Sequence, residues 1–334
     1  MKPGILSLLL IVVLGVGFIQ SGNYGQRPAK TPIAPAAPRR PVQALGETTA
    51  YRRVKHALGE TPVPRQPRRI VSLSAAVTDS LVALGIRPVL VESGWKSGAL
   101  PPYLADGLQG ITTVRRTGGI SLEALLDAEP DLILVSSTQD AKLYGQLSRI
   151  APTVVFDIPL SGNRDAILLE VGAVLGLPQQ AQQRLAAYRR RVERAKAALA
   201  KRAGGQSVVF LRFRQHTCVI YAQTTMFGPL LFDQLGLVAD AAMPRSMSPG
   251  GWDVLSLERL STLRPAHIFA VVDADSTAYY AGVTATPIWK RIPAVCDGRV
   301  HLVAATTWIG GDGVLASEAI MRDVLAAMLP EGTP

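Results

Sequence analysis

ISLEALLDAEPDLILV, residues 120–135, and LSLERLSTLRPAHIFAVV, residues 255–272, carry one phrase twice. Ser121, Leu122 and Glu123 return as Ser256, Leu257 and Glu258, 135 positions later, and in each copy a proline stands seven residues after the glutamate, at Pro130 and Pro265. Both copies have one physical reading. The serine caps a short helix, the glutamate sits in its first turn where the helix dipole favours an anion, and the proline closes the helix before an apolar strand. Two lobes of like design, each showing a glutamate, are implied.

Outward from the first copy, apolar runs alternate with amphipathic stretches. RIVSLS (69–74), PVLVES (88–93), DLILVSS (131–137) and TVVFDI (153–158) read as strands; helices are predicted over 76–85, around Ala141 to Ile150, and from Asn163 to Leu175. Short apolar runs separated by helices predict parallel βαβ units, whose ligands bind at the carboxyl ends of the strands. From Gln179 to Arg202 apolar residues recur at helical steps (Leu185, Tyr188, Val192, Ala195, Leu199) until Gly204-Gly205 stops the pattern. Such a helix spans about 36 Å and reads as a strut between two halves, or else as a surface helix on one of them. Beyond it the rhythm resumes: strands SVVFLRF, CVIYA, HIFAVV and VHLVA, helices over Phe227 to Leu235 and near Trp289, and a closing helix from Val314 to Met328.

The expected fold class is α/β: two Rossmann-like lobes with central parallel sheets, joined by one long α-helix where that helix is the strut. The expected divisions are a signal peptide or anchor over 1–22, a Pro/Arg-rich linker over 23–67, an N-terminal lobe over 68–178, an interlobe helix over 179–203 and a C-terminal lobe over 204–330. A brief helix is predicted at Tyr51 to Leu58.

The formal charge of +10 is not spread evenly. Residues 24–69 hold ten Lys/Arg against Glu47 and Glu60, and Lys2 adds one more, so the chain from Ile70 onward carries 24 Lys/Arg against 23 Asp/Glu. Basicity belongs to a tail, which argues against nucleic acid as a partner. Ile5 to Ile19 forms an apolar run of secretory length, short of a comfortable membrane span, so export is expected, with an uncleaved anchor as the alternative. No cysteine lies near it for lipid attachment. Pro28, Pro32, Pro35, Pro38 and Pro41 mark an extended spacer. The cysteines, Cys218 and Cys296, lack metal-ligand spacing; in an oxidising compartment they either pair or stay free.

Taken in order, RIVSLSAAVTDSLVALGIRPV, SLEALLDAEPDLILVSS, LYGQLSRIAPTVVF, SLERL and TTWIGGDGVLASEAI resemble the periplasmic substrate-binding proteins of bacterial iron-siderophore and cobalamin ABC importers, most of all the iron(III) dicitrate type. The resemblance covers about Arg68 to Leu329. It implies two α/β lobes on one long helix, a ligand held between them, little hinge motion, a monomer, and no enzymatic activity or cofactor. It also implies a partner: a glutamate on each lobe engages arginines of an inner-membrane permease, and by motif these map to Glu123 and Glu258.

A carrier of ferric citrate or another ferric chelate needs cations and flat rings, because such ligands are anionic or aromatic and guanidinium grips carboxylate with a two-pronged fork. The candidates are Arg115 and Arg116 before the first repeat, and Arg212 and Arg214 in LRFRQHT; Arg214 sits close to the family's arginine, while the 115/116 pair is offset by about one position. Trp95, Trp252 and Trp308 precede glycine-rich or polar loop residues, and Trp308 matches the family's cleft tryptophan; Tyr221 and Ser74 are weaker candidates. Gly310, Gly311 and Gly313 fit no phosphate-binding pattern and read as a turn.

Three rivals remain. A zinc or manganese carrier needs several converging ligands, whereas His56 falls in the linker and His267 in a strand core, leaving His216 and His301. An enzyme would want a nucleophile elbow or a dinucleotide fingerprint, and Asp312 stands without a paired carboxylate in the text. An anchored sensor or scavenger of the same fold would hold a corrinoid, haem or other ligand without transport.

Overall fold

The computed structural model describes residues 39–93, 100–115, 119–137, 141–158, 165–246 and 251–329. The first described element corrects the expected linker. Residues assigned to a spacer fold as an antiparallel meander of β1 (Gln43–Glu47), β2 (Tyr51–His56) and β3 (Gly59–Pro64). The helix expected at Tyr51 to Leu58 is thus a strand. YRRVKH alternates with period two, and Arg52, Val54 and His56 turn inward. Burying Arg52 is tolerable because its Nε donates to Glu47 Oε1 at 2.7 Å and its Nη1 to the Val174 carbonyl at 2.9 Å. His56 hydrogen-bonds Thr61 through Nε2 at 3.0 Å, and burial pushes its imidazole pKa down. The meander packs on the edge of the first lobe, where Ala57 donates to the Val155 carbonyl.

That lobe is a five-stranded parallel sheet of β4 (Ile70–Ser72), β5 (Leu90–Glu92), β6 (Thr112–Val114), β7 (Leu132–Ser136) and β8 (Thr153–Phe156), ordered β6-β5-β4-β7-β8. Winding runs outward one way from β4, then returns to β7 on its other side. The reversal leaves a crevice at the carboxyl ends of β4 and β7. Helices α1 (Ala75–Ala83), α2 (Leu122–Asp127), α3 (Tyr144–Ile150) and α4 (Asp165–Leu175) link the strands and lead out of the sheet.

α5 (Pro178–Ala203) leads to the second lobe, spanning about 39 Å with the expected stripe Leu185, Tyr188, Val192, Ala195 and Leu199 buried. There β9 (Ser207–Arg214) and β10 (Thr217–Tyr221) form a hairpin, joined by β11 (Val238–Ala239), β12 (Trp252–Val254), β13 (His267–Val272) and β14 (Val300–Leu302). The sheet is mixed: β9, β11, β13 and β14 run parallel, while β10 runs antiparallel to both β9 and β12. α6 (Leu257–Leu260), α7 (Thr277–Ala285), α8 (Pro287–Lys290), α9 (Pro293–Cys296), α10 (Ala305–Trp308) and α11 (Val314–Met328) complete it, with a π-helical turn at Pro229–Gln234 where an α-helix was expected. Cys218 is buried and Cys296 exposed, and both are free thiols. Among the described residues no helix is long and apolar enough to cross a membrane; Ile5 to Ile19 lies outside them.

The lobes share one apolar core. A single cluster runs from Ile70, Leu134 and Phe156 through Tyr188 and Val192 to Phe210, Phe269 and Trp308. Polar ties cross the same seam. Arg184 grips Glu318 of α11 with both prongs at 2.8 and 2.9 Å, Arg191 adds a bond at 2.6 Å, and Tyr188 donates to Gln234 at 2.6 Å. Asp79 of α1 accepts from the backbone N–H groups of Leu315 and Ala316 at 3.0 and 2.9 Å, capping α11 from the other lobe. Gly313, at φ 123°, makes room for it, since a Cβ there would collide with the Asp79 carboxylate.

Candidate functional site

In sheets of this winding the ligand edge is the set of strand carboxyl ends at each reversal. In the first lobe these ends carry Ser72 and Ser136. Ser72 is turned inward, accepting from Thr78 Oγ1 at 2.8 Å and donating to the Ser74 carbonyl at 3.3 Å. Ser74 is itself only 4% exposed, so it presents little to a ligand. Arg115 directly follows β6 and is exposed. Trp95 and Arg116 lie outside the described residues.

The second lobe reverses between β9 and β13, and the arginines of LRFRQHT lie there. Arg212 and Arg214 share a face of the sheet with Phe210, because side chains alternate along β9. Phe210 belongs to the core shared by the lobes, so this face is the one turned toward the first lobe. Arg212 does not offer its fork outward. It forms a two-pronged ion pair with Asp273, at 2.9 and 2.8 Å, and donates to the Tyr221 hydroxyl at 3.4 Å. Arg214 instead places its guanidinium over the Trp252 ring, 5.3 Å from the centroid, and both residues are half-exposed. Trp252 stands opposite Tyr221 across β10 and β12. Tyr221 is 3% exposed, its ring against Phe210 and Phe227, so it braces the wall rather than facing outward.

Trp308 is a correction. Expected to stack on a ligand, it is 1% exposed, nearly parallel to Phe210 and Phe269 and edge-on to Phe227, with Nε1 donating to Asp323 at 2.8 Å. The seam claims the ring because the shared core there is aromatic, and Asp323 gives the indole N–H the partner that burial demands.

The structure brings Arg212, Arg214, Tyr221 and Trp252 together. It adds Asp273, which sequence reading missed although the residue directly follows an apolar strand, the position where ligand-edge groups occur. The seam contains a cavity of about 50 Å³ between Asp165 of the first lobe and Met226, Gln234, Asp312 and Ser317 of the second, lined by none of Arg212, Arg214, Tyr221 and Trp252. That is far below the roughly 300–1,000 Å³ of small-molecule sites. The wall offers one cation stacked on an indole beside a neutralised ion pair, an arrangement suited to a flat ligand of modest negative charge.

The repeated phrase folds alike in both lobes. Ser121 accepts from the Ala124 N–H and Ser256 from the Arg259 N–H, each at 3.2 Å, and Glu123 and Glu258 are exposed in the first turns of α2 and α6. The histidine expected in a core is there: His267 is 4% exposed, bonded to His301 and Gln206 at 3.0 and 2.8 Å, and burial, with His301 and Arg299 beside it, pushes its pKa down to about 4.

Residues 70–305 match the sequence profile of a family described as periplasmic binding protein. The probable siderophore-binding lipoprotein YfiY of Bacillus subtilis is 26% identical over 329 residues, covering 96% of each chain. The Fe(3+) dicitrate-binding periplasmic protein FecB of Escherichia coli is 26% identical over 78% of this chain and 85% of its own. Among solved structures, Staphylococcus aureus SirA complexed with staphyloferrin B superposes with a TM-score of 0.68 at 27% identity, over 82% of this chain and 97% of that one.

Proposed function

The chain belongs to the periplasmic binding protein family, and from that premise we propose that it is the solute-binding component of an ABC importer, holding a ferric chelate between its lobes and delivering it to a membrane permease. One observation carries the reading: the family match and the likeness to the staphyloferrin-bound structure run through both lobes and the helix joining them. Relatives named for ferric citrate and siderophore binding support the ligand class. Arg214 and Trp252 form the second lobe's ligand wall, with the indole under the chelate's flat groups and the guanidinium on its carboxylate or phenolate oxygens. Arg212, held by Asp273 and donating to the Tyr221 hydroxyl, positions that wall. Arg115, exposed directly after β6, is the described candidate for the opposing side.

Glu123 and Glu258 take the second role. Two exposed anions at fixed separation on a stiff frame orient the protein on a permease with matched arginines. The shared core keeps the separation fixed, because opening the lobes would expose Phe210, Tyr188 and Trp308. Titration of tryptophan fluorescence with ferric citrate and with hydroxamate and catecholate ferric chelates tests the proposal. Saturable binding at micromolar or lower concentration, without chemical change to the chelate, is expected; no binding by any of them sinks it.

A further inference from the structure

The meander at the start of the fold carries features that holding a ligand between the lobes does not use. Leu45, Tyr51 and Leu58 are 46%, 49% and 42% exposed, three large apolar side chains within one small sheet. Arg53 and Lys55 share the outward side of β2 with Tyr51, because Arg52, Val54 and His56 take the inward side. Around the tight turn at Ala57 and Leu58, an open groove of about 770 Å³ is rimmed by Arg39, Arg40, Lys55, Leu58 and Glu60.

Its charges do not cancel. Arg39 is held by Glu170, and Glu60 by Arg53, each at 2.6 Å. Among the described residues Arg40 and Lys55 form no ion pair, and Arg40 Nη1 reaches only the Ala57 carbonyl at 3.5 Å. Two cations without an ion pair therefore stand beside an exposed leucine, the nearby Asp157 carboxylate being taken by the Arg40 backbone N–H at 2.9 Å. A free phosphorylated solute would satisfy the cations and leave Leu45, Tyr51 and Leu58 in water. An anionic bilayer takes both, its headgroup phosphates the charges and its interfacial layer the apolar groups.

The covalent context points the same way. The described chain begins at Arg39, on the rim of the groove, and the sequence before it holds the apolar run Ile5 to Ile19 followed by Arg27 and Lys30. We infer that the meander and its basic groove are a membrane-surface contact, resting this edge of the protein on anionic lipid.

The test uses the full chain and two kinds of vesicle, phosphatidylcholine alone and phosphatidylcholine with one third phosphatidylglycerol. The apolar run contributes to binding on both, so the quantity read is the ratio of the two partition coefficients. A cation near such a surface contributes about five-fold in affinity, so Arg40→Gln with Lys55→Gln should lower the ratio about 25-fold. Leu58→Ser should weaken binding to the anionic vesicles, and these vesicles should slow amide exchange across residues 43–60. All three polar substitutions lie on exposed positions, and an unchanged thermal midpoint and chelate affinity will separate loss of surface binding from loss of fold. A ratio that survives the double substitution overturns the inference, because the charge would then reside in the preceding segment. Equal slowing of exchange by soluble glycerol phosphate also overturns it, since the groove would then be a solute site.

Discussion

Replacing Asp79 with alanine tests how the two lobes are joined. Its carboxylate is fully buried and accepts two backbone N–H bonds at the start of α11, a helix of the opposite lobe. Truncation leaves both donors without their partner, at about 1–3 kcal/mol for a buried unsatisfied group, and removes a cap worth about 1 kcal/mol. These overlap, so the net cost is about 2–4 kcal/mol. At about 2–4 °C per kcal/mol for a domain somewhat smaller than this one, the thermal midpoint should fall by about 4–16 °C. Acidity adds a second reading. Burial pushes the Asp79 pKa up to about 8, outweighing the two backbone donors, and the charge of Asp312 beside it acts in the same direction. Between its unfolded value near 3.8 and about 8 the native state binds the extra proton, so the group's contribution to stability is present below pH 4 and is lost as pH rises to about 8. Asp79→Asn, which cannot titrate, should flatten that decline, by at most about 1.4 kcal/mol per pH unit. Calorimetry from pH 4 to 9 on wild type, Asp79→Ala and Asp79→Asn gives both readings. An alanine variant within 1 °C of wild type would refute the interlobe cap, and an asparagine variant with the same pH slope as wild type would refute the raised pKa.

Trp308→Ala should cost about 3–5 kcal/mol of stability, as loss of a large buried ring does, while Trp308→Phe costs less; a calorimetric midpoint unchanged in the alanine variant, with chelate affinity lost, would return the ring to the ligand wall. Arg214→Ala should weaken chelate binding about ten-fold, measured by titration calorimetry, whereas Arg212→Ala should reduce stability and change affinity less, because Asp273 already occupies its fork. Asp273→Ala frees that fork and should strengthen binding of the more anionic chelates at a cost of about 2 kcal/mol in stability. Reversing Glu123 and Glu258 to arginine should leave chelate binding intact and reduce uptake in a permease-reconstituted vesicle assay, the double variant more than either single; uptake equal to wild type contradicts docking through these residues.

What the text of the chain revealed depended on whether local pattern and tertiary packing agree. The capped turns at Ser121 and Ser256 were legible because serine and glutamate act within one helical turn and the proline follows seven residues after the glutamate. The stripe of α5 was legible for the same reason, its 3- and 4-residue steps being a local property. The meander was not. Its prolines and arginines read as a spacer, and only the neighbouring lobe supplies the Val174 carbonyl that lets Arg52 turn inward. Trp308 failed in the opposite sense: its glycine-rich neighbourhood looked like a loop, while the aromatic set that encloses it comes from β9, β13 and the segment after β10. Asp273 and Asp79 each act across the fold, on Arg212 from the neighbouring strand and on a helix 236 residues away, and no spacing rule joins such partners.

The central claim is that the groove between the lobes holds a ferric chelate against Arg214 and Trp252. Its most direct measurement is a fluorescence titration of the protein with a panel of ferric chelates, repeated on Trp252→Phe and Arg214→Ala. Saturable quenching at micromolar or lower concentration, diminished in the phenylalanine variant and shifted to about ten-fold higher ligand in the alanine variant, is the predicted result. Absence of quenching with every chelate, or titrations identical in all three proteins, would contradict it.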